Sequence, residues 1–169
     1  MGIVNFLDRK QNTVAVIFGF NNDNSFLSNF ESCSVILPAE ANLPEMDFDS
    51  VENAYMAWKT LDYEQRLHMQ AMSASEVKNY SIDGKISLRS DYSDEGRLQI
   101  MEQLLRQKFS DKNPELKQKL IDTGDIPIIE ANDLGDVFFG FCYSEGYGYG
   151  MNHLGCLLMQ IRQDISCTN

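Results

Sequence analysis

The apolar residues that follow Ser93-Asp94 constrain this chain most. Leu98, Met101, Leu105 and Phe109 recur at steps of three and four, the period of one face of an α-helix. Ser93 or Asp94 stands where a side-chain oxygen closes the first backbone N–H groups of such a helix. The same kind of start signal recurs along the chain. Ser50 precedes a helix running to about Leu61, with Val51, Tyr55 and Trp58 on one face. Asp62 opens the next, and Gln65 stands where a capping box carries its polar residue; Ser73-Ala-Ser-Glu76 is a fuller match to that box. Asn113-Pro114 reads as cap and first-turn proline of a helix that Thr123-Gly124 ends. Asn152 precedes a last helix in which Leu154, Leu157, Leu158 and Ile161 share a face.

Strand signals are fewer. Val14 to Phe20 and Cys33 to Leu37 are rich in β-branched and aromatic residues between Asn, Asp and Pro clusters, and Ile126 to Ala131 and Val137 to Phe141 read as short strands. These patterns predict an α+β protein, mainly α-helical with a few short strands. At 169 residues, 43% of them hydrophobic, the chain reads as one domain with a substantial core over residues 1–169.

Several function classes fall away. No run of 18 apolar residues is present, so no membrane helix is expected. The first ten residues carry their charges after their apolar residues and offer no small-residue cleavage site, so no secretory leader is expected. The four cysteines (Cys33, Cys142, Cys156, Cys167) form no Cys-x-x-Cys pair and read as buried free thiols in a reducing cytoplasm. His68 and His153 lack partners at zinc-ligand spacing, and no metal is expected. A net charge of −11 disfavours broad phosphate neutralisation but leaves room for a local contact with one nucleotide. There is no P-loop, no dinucleotide-fold glycine pattern in a βαβ setting and no Gly-x-Ser-x-Gly elbow.

Two regions carry chemistry. Glu52 lies in the first turn of its helix, where the dipole favours a carboxylate. Lys59 follows two turns later on the same face, roughly 10 Å along the axis, with Tyr55 one turn before it. The second region places Glu130, Asp133 and Asp136 before a glycine-rich loop, Gly146-Tyr-Gly-Tyr-Gly150, that runs into the last helix. An acid and an amine on one helix face also describe a solvated charge stripe, so spacing alone leaves both readings open.

Resemblance adds to this. Phe26-Leu-Ser-Asn-Phe30, Ser50-Val-Glu-Asn-Ala-Tyr-Met-Ala-Trp-Lys59, Arg89-Ser-Asp91, Gln107-Lys-Phe109 and Asn113-Pro-Glu-Leu116 occur in one order. Thr123-Gly-Asp125, Ile129-Glu130, Gly135-Asp136, Gly140, Gly150-Met-Asn152, Leu154-Gly155 and Leu158-Met159 through Arg162 complete the series. Over residues 18–163 the chain resembles the NADAR or YbiA-like family of N-glycosidases. The resemblance implies a compact, mainly helical fold and hydrolysis of the bond between a ribose anomeric carbon and a nitrogen base, with no cofactor. Family members act on early riboflavin-pathway intermediates, or remove ADP-ribose from modified guanine in DNA and so reverse a toxin. Small members occur in bacteria and their phages, which implies a cytoplasmic setting and a part in phage defence.

Carried onto this sequence, the resemblance and the chemistry of an oxocarbenium-like transition state make Glu52, Asp136 and Lys59 the catalytic candidates. Lys59 orients the sugar or attacks C1 of an opened ribose as a Schiff-base amine. Arg89 and Lys108 suit phosphates. Asn29 and Asn152 suit ribose hydroxyls, and Gly150 lets backbone approach a pyrophosphate. Tyr55, Trp58 or Phe30 suits a base; Asp91 and Glu130 complete the substrate-binding set. This arrangement expects two walls, one from the Glu52–Lys59 helix and the Asn29 loop, the other from the stretch after Glu130. Rival readings stand beside it: Trp58 as core, Asp136 as a turn cap, Glu130 as a structural partner of Arg162, His153 as a first-turn helix residue. Tyr92, Leu134 and Phe139 stand where the family often has Trp. The preferred function is removal of ADP-ribose from guanine, in DNA or as a nucleotide. The alternatives are a riboflavin-intermediate N-glycosidase and a non-catalytic ADP-ribose or NAD-binding module. The acidic charge favours a small substrate, while the absence of a fused riboflavin-synthesis domain favours the first.

Overall fold

The computed structural model describes residues 3–7, 13–144 and 147–167. Its mixture of helices and small sheets is the α+β, mainly helical arrangement expected. Two compact units share the chain: Asn29–Lys117, and Met1–Ser28 with Gln118–Asn169.

In the unit of residues 29–117, β3 (Ser32–Leu37) pairs antiparallel with β4 (Met46–Ser50). The helices α1 (Val51–Trp58), α2 (Tyr63–Gln70), α3 (Ala74–Ile82) and α4 (Asp94–Lys108) follow. The expected caps are in place. Ser50 Oγ accepts from Asn53 N, Asp62 from Gln65 N, Ser73 from Glu76 N and Ser93 from Gly96 N. The Ser73–Glu76 box is reciprocal, whereas the Gln65 side chain turns away to exchange hydrogen bonds with Ser87.

Helix α1 ends at Trp58, earlier than the sequence pattern suggests, and every one of its residues is buried. Hydrophobic residues on nearly all its sides explain why it sits inside its unit. Its two polar residues need partners there. Asn53 accepts from Ser50 Oγ at 2.6 Å and donates to the carbonyls of Met69 and Met72 at 2.9 and 2.8 Å. That links α1 to the end of α2. In α4 the apolar face is Ile100, Met101, Leu104 and Leu105, with Phe109 just beyond it. Leu98, expected on that face, is only half-buried.

The other unit carries β1 (Ile3–Leu7), β2 (Thr13–Phe18) and β5 (Ile128–Ile129) in one sheet, β2 central. A second sheet orders β6 (Ala131–Asn132), β7 (Phe141–Ser144) and β8 (Tyr147–Tyr149). A 3-10 helix, Asn22–Leu27, follows β2, and α6 (His153–Cys167) closes the chain. Helix α5 (Pro114–Asp122) contains the division between the units, and Gly124 after it takes the left-handed conformation (φ 57°).

Three further expectations are corrected. Val137 to Gly140 is no strand: Asp136 Oδ1 accepts from the N–H of Phe138 and Phe139 at 3.1 and 3.0 Å, which folds a turn there and delays β7 to Phe141. Asn152 does not cap α6 through its side chain, which instead bonds the chain on both sides of Ile129. Of the free thiols, Cys33 and Cys142 are buried but Cys156 and Cys167 are exposed.

Candidate active site

Glu52 and Lys59 lie on the α1 face that meets α3. The Glu52 residue is 4% exposed. Its Oε1 stands 3.4 Å from the ammonium of Lys78, a side chain one-third exposed. Its backbone N–H donates to the carbonyl of Asn29 at 2.9 Å, which fixes the Asn29 loop against the first turn of α1. Lys59 terminates α1, its Nζ 5.0 Å from the centre of the Tyr55 ring and 3.5 Å from Ser81 Oγ, to which it donates. The acid, the aromatic ring and the amine thus occupy one edge of α1, and α3 supplies a lysine and a serine beside them. Neither Lys78 nor Ser81 is a candidate on sequence grounds. Their spacing on one face of α3 was visible, but nothing local indicates which helix that face meets.

Tyr55 supports this edge from behind. Its ring lies 6.1 Å from that of Trp58 in a stacked orientation, and its hydroxyl accepts from Arg97 Nε at 3.2 Å. Burial holds the phenol well above its ordinary range, with the Arg97 hydrogen bond opposing. Tyr55 is therefore a neutral group, and its ring face is what Lys59 meets. Asn29 places its Nδ2 3.6 Å from Met101 Sδ, and its buried Oδ1 has no hydrogen-bond partner among the described residues.

Arg89 and Asp91 occur together, but on a different surface. A cleft of about 480 Å³ is bordered by Trp58, Arg89, Asp91, Glu40, Glu95 and Gln103, and contains neither Glu52 nor Lys59. All five N–H groups of Arg89 are engaged by protein. They reach both oxygens of Asp91 (2.7 and 3.0 Å), both of Glu40 (3.1 and 2.8 Å) and the Trp58 carbonyl (3.1 Å). The guanidinium also covers the Trp58 ring at 4.7 Å. Glu40 holds a second arginine, Arg66, whose side chain is wholly buried. Trp58 is buried, as the core reading expects, yet it borders this cleft.

Lys108 is enclosed too. Its side chain is inaccessible and its ammonium lies 5.1 Å from the Phe109 ring. Burial pushes it down to about 8, against the opposing pull of Cys33 and Glu31. A group so enclosed is poorly placed to reach a phosphate.

The remaining candidates belong to the other unit. Asp136 commits Oδ1 to its own turn, while its N–H and carbonyl are bonded by the side chain of Asn132. Glu130 Oε2 accepts from Asn132 Nδ2 at 3.2 Å. Arg162 does not pair with Glu130 but donates to Thr123 Oγ1 and the Ile126 carbonyl, 2.8 and 2.9 Å away, with Asp125 as its nearby charge. Asn152 accepts from Glu130 N at 2.9 Å and donates to the Ile128 carbonyl at 3.0 Å, so both ends of its amide serve the fold. Gly150, at φ 141°, lets β8 approach Gly140: a Cβ there would stand 2.4 Å from the Gly140 carbonyl. Of the glycine loop, Gly146 lies outside the described residues. His153 is the first residue of α6, beside the Phe138 ring, as read from the sequence.

The fold is small and α+β, and it sets a buried carboxylate, Glu52, and an amine, Lys59, on one edge of a single short helix. The chain belongs to the NADAR domain family, whose model matches residues 17–166. It is similar to a riboflavin biosynthesis protein of Vibrio vulnificus, 30% identical over 144 residues, covering 85% of this chain but only 36% of that protein. It is similar to N-glycosidase YbiA of Escherichia coli, 26% identical over 157 residues, covering 92% of this chain and 91% of that one. The NMR structure of E. coli YbiA shares the fold, with a TM-score of 0.71 at 24% identity over 92% of this chain and 86% of that one. No described helix is long and apolar enough to cross a membrane.

Proposed function

We propose that this hydrolase of N-glycosidic bonds removes ADP-ribose from modified guanine, in DNA or as a nucleotide, in a bacterial or phage-infected cytoplasm. The observation that carries the reading is the α1 edge, where the nearly buried Glu52 carboxylate, the Lys59 amine and the Tyr55 ring lie together. Cleavage of a ribosyl C–N bond builds positive charge on the sugar, and a fixed carboxylate stabilises that charge far better inside a protein than in water. Glu52 takes this role. Lys59 meets the sugar, either as an orienting ammonium or as the amine that adds to C1 of the opened ring. The Lys59 ammonium on this edge suits a substrate that carries phosphate. Asn29, whose side-chain oxygen has no partner among the described residues, suits a ribose hydroxyl. Asp136 and Arg89 are assigned to holding a turn and an ion-pair network, in keeping with their bonds.

The name of the Vibrio relative favours a second reading, a riboflavin-intermediate N-glycosidase. The two separate when the protein is incubated with an ADP-ribosylated DNA oligonucleotide and, in parallel, with a ribosylaminopyrimidine phosphate, release being followed by mass spectrometry. Release from the second substrate alone overturns the first reading. Release from neither makes the chain a binding module. Glu52→Gln and Lys59→Ala should each abolish turnover with little change in the thermal midpoint, and a folded Glu52→Gln protein with normal turnover removes Glu52 from the reaction. Borohydride trapping of an adduct at Lys59 distinguishes amine addition from orientation.

A further inference from the structure

Each candidate on α1 has a polar partner on α3. Glu52 meets Lys78 at 3.4 Å and Lys59 meets Ser81 at 3.5 Å. Lys78 and Ser81 stand three residues apart, so they share one face of α3, as Glu52 and Lys59 share one edge of α1. Val77, fully buried and next to Lys78 in sequence, anchors α3 to the interior of this unit. The start of α3 is fixed by the reciprocal Ser73–Glu76 box, which restrains where along α1 the two partners fall.

We propose that Lys78 is a positioning residue of the N-glycosidase site, holding the Glu52 carboxylate in its working orientation, and that Ser81 does the same for the Lys59 amine. The inference rests on the functional reading above. An acid that acts on a developing charge must be fixed to within a fraction of an ångström, and a neighbouring polar group is the usual means. A cation at the mouth of an otherwise enclosed carboxylate favours one orientation of it. Ser81 offers the amine a hydroxyl that accepts without adding charge. α3 is then more than packing: it completes the chemistry of α1.

The experiment uses the full chain and the ADP-ribosylated DNA oligonucleotide, with the ribosylaminopyrimidine phosphate as second substrate. Lys78→Met should lower kcat about tenfold or more, as misplacement of a reacting group does, while KM and the urea midpoint stay near those of the unsubstituted protein. Lys78→Arg should recover most of the lost rate, since it restores a positive charge beside Glu52. Ser81→Ala should lower kcat by a smaller factor. A Lys78→Met protein with unchanged kcat, or one whose rate falls only in step with its stability, overturns the proposal even where Glu52→Gln is inactive. If neither substrate is cleaved by the unsubstituted protein, the functional reading fails by itself. The contact is then read directly by the rate at which Lys78 is acylated: Glu52→Gln should raise that rate several-fold, and an unchanged rate overturns the pairing.

Discussion

The side-chain amide of Gln107 pairs with the backbone of Ile36 at both ends, Oε1 accepting from its N–H and Nε2 donating to its carbonyl, each at 2.8 Å. Ile36 lies on β3, whose other edge pairs with β4. Asn113 repeats the device two residues earlier in the strand, accepting from Ser34 N at 2.9 Å and donating to its carbonyl at 3.1 Å. Two carboxamides therefore close the edge that a third strand would otherwise cover, and leave no open template for pairing with another chain. They also tie α4 and the start of α5 to β3, within the unit that carries Glu52.

Gln107→Glu tests this arrangement. The substitution keeps the acceptor for Ile36 N but removes the donor to Ile36 O and adds a charge beside it. A loss of about 1–2 kcal/mol in urea unfolding is expected, with turnover unaffected at temperatures where the protein stays folded. Equal stability would mean that water replaces the lost donor.

Glu40 has a similar organising part, joining Arg66 and Arg89. Burial raises its carboxyl, but hydrogen bonds from Arg89 and Arg66 outweigh that and leave it below the usual carboxylate range. The stability this gives is present above the unfolded value and is lost as pH falls through the folded one. Glu40→Gln should cost about 2–3 kcal/mol at pH 7, because a fully buried guanidinium loses its counter-charge. The difference between the two proteins should shrink below about pH 4.5, the ordinary value of the group. Chemical unfolding from pH 3.5 to 7 measures it, and a difference independent of pH would detach the effect from ionisation.

What the sequence made legible divides along these lines. Caps are local, so Ser50, Asp62, Ser73 and Ser93 announced four helices correctly. The alternation of Met46, Phe48 and Ser50 with Asp47 and Asp49 also marks β4, whose buried and exposed residues alternate, yet its short polar composition hid it. Val137 to Phe141 reads as strand by composition, but the Asp136 carboxylate folds it into a turn. The shared edge of Glu52 and Lys59 follows from helical period alone. The partners Lys78 and Ser81 do not, nor does Gln107–Ile36, because they join segments tens of residues apart that only tertiary packing brings together. The family motifs contained Gln107, Asn113 and Asn152 without revealing that each serves the backbone.

Gly155, inside α6, opposes helix propensity to packing. Alanine in a helix interior is favoured over glycine by about 1 kcal/mol. Here its Cβ would stand 2.3 Å from the Ile128 carbonyl and 2.6 Å from both polar atoms of the Asn152 amide. The amide that brackets the chain around β5 would have to move. Gly155→Ala is therefore expected to destabilise by about 2 kcal/mol net, read as a lower thermal midpoint. A higher midpoint would show that α6 shifts freely along β5.

Lys108 gives the opposite pH dependence from Glu40. In the unfolded chain its amine has the ordinary value of 10.5, and burial brings it to about 8 in the fold. Between those values the unfolded chain binds more protons, so this group makes stability rise with pH; below about 8 both states are protonated and the cost of burying the ammonium is present in full. Lys108→Met keeps an unbranched apolar stem, one atom shorter, and removes the amine. The unfolding free energy of the unsubstituted protein minus that of Lys108→Met should thus climb between pH 7.5 and 9.5, at no more than about 1.4 kcal/mol per pH unit. Stopping near pH 9.5 keeps the tyrosines, which titrate near 10 when exposed, out of the comparison. A difference that stays flat across this range would mean that the enclosed ammonium keeps its proton, and that its surroundings solvate the charge as well as water does.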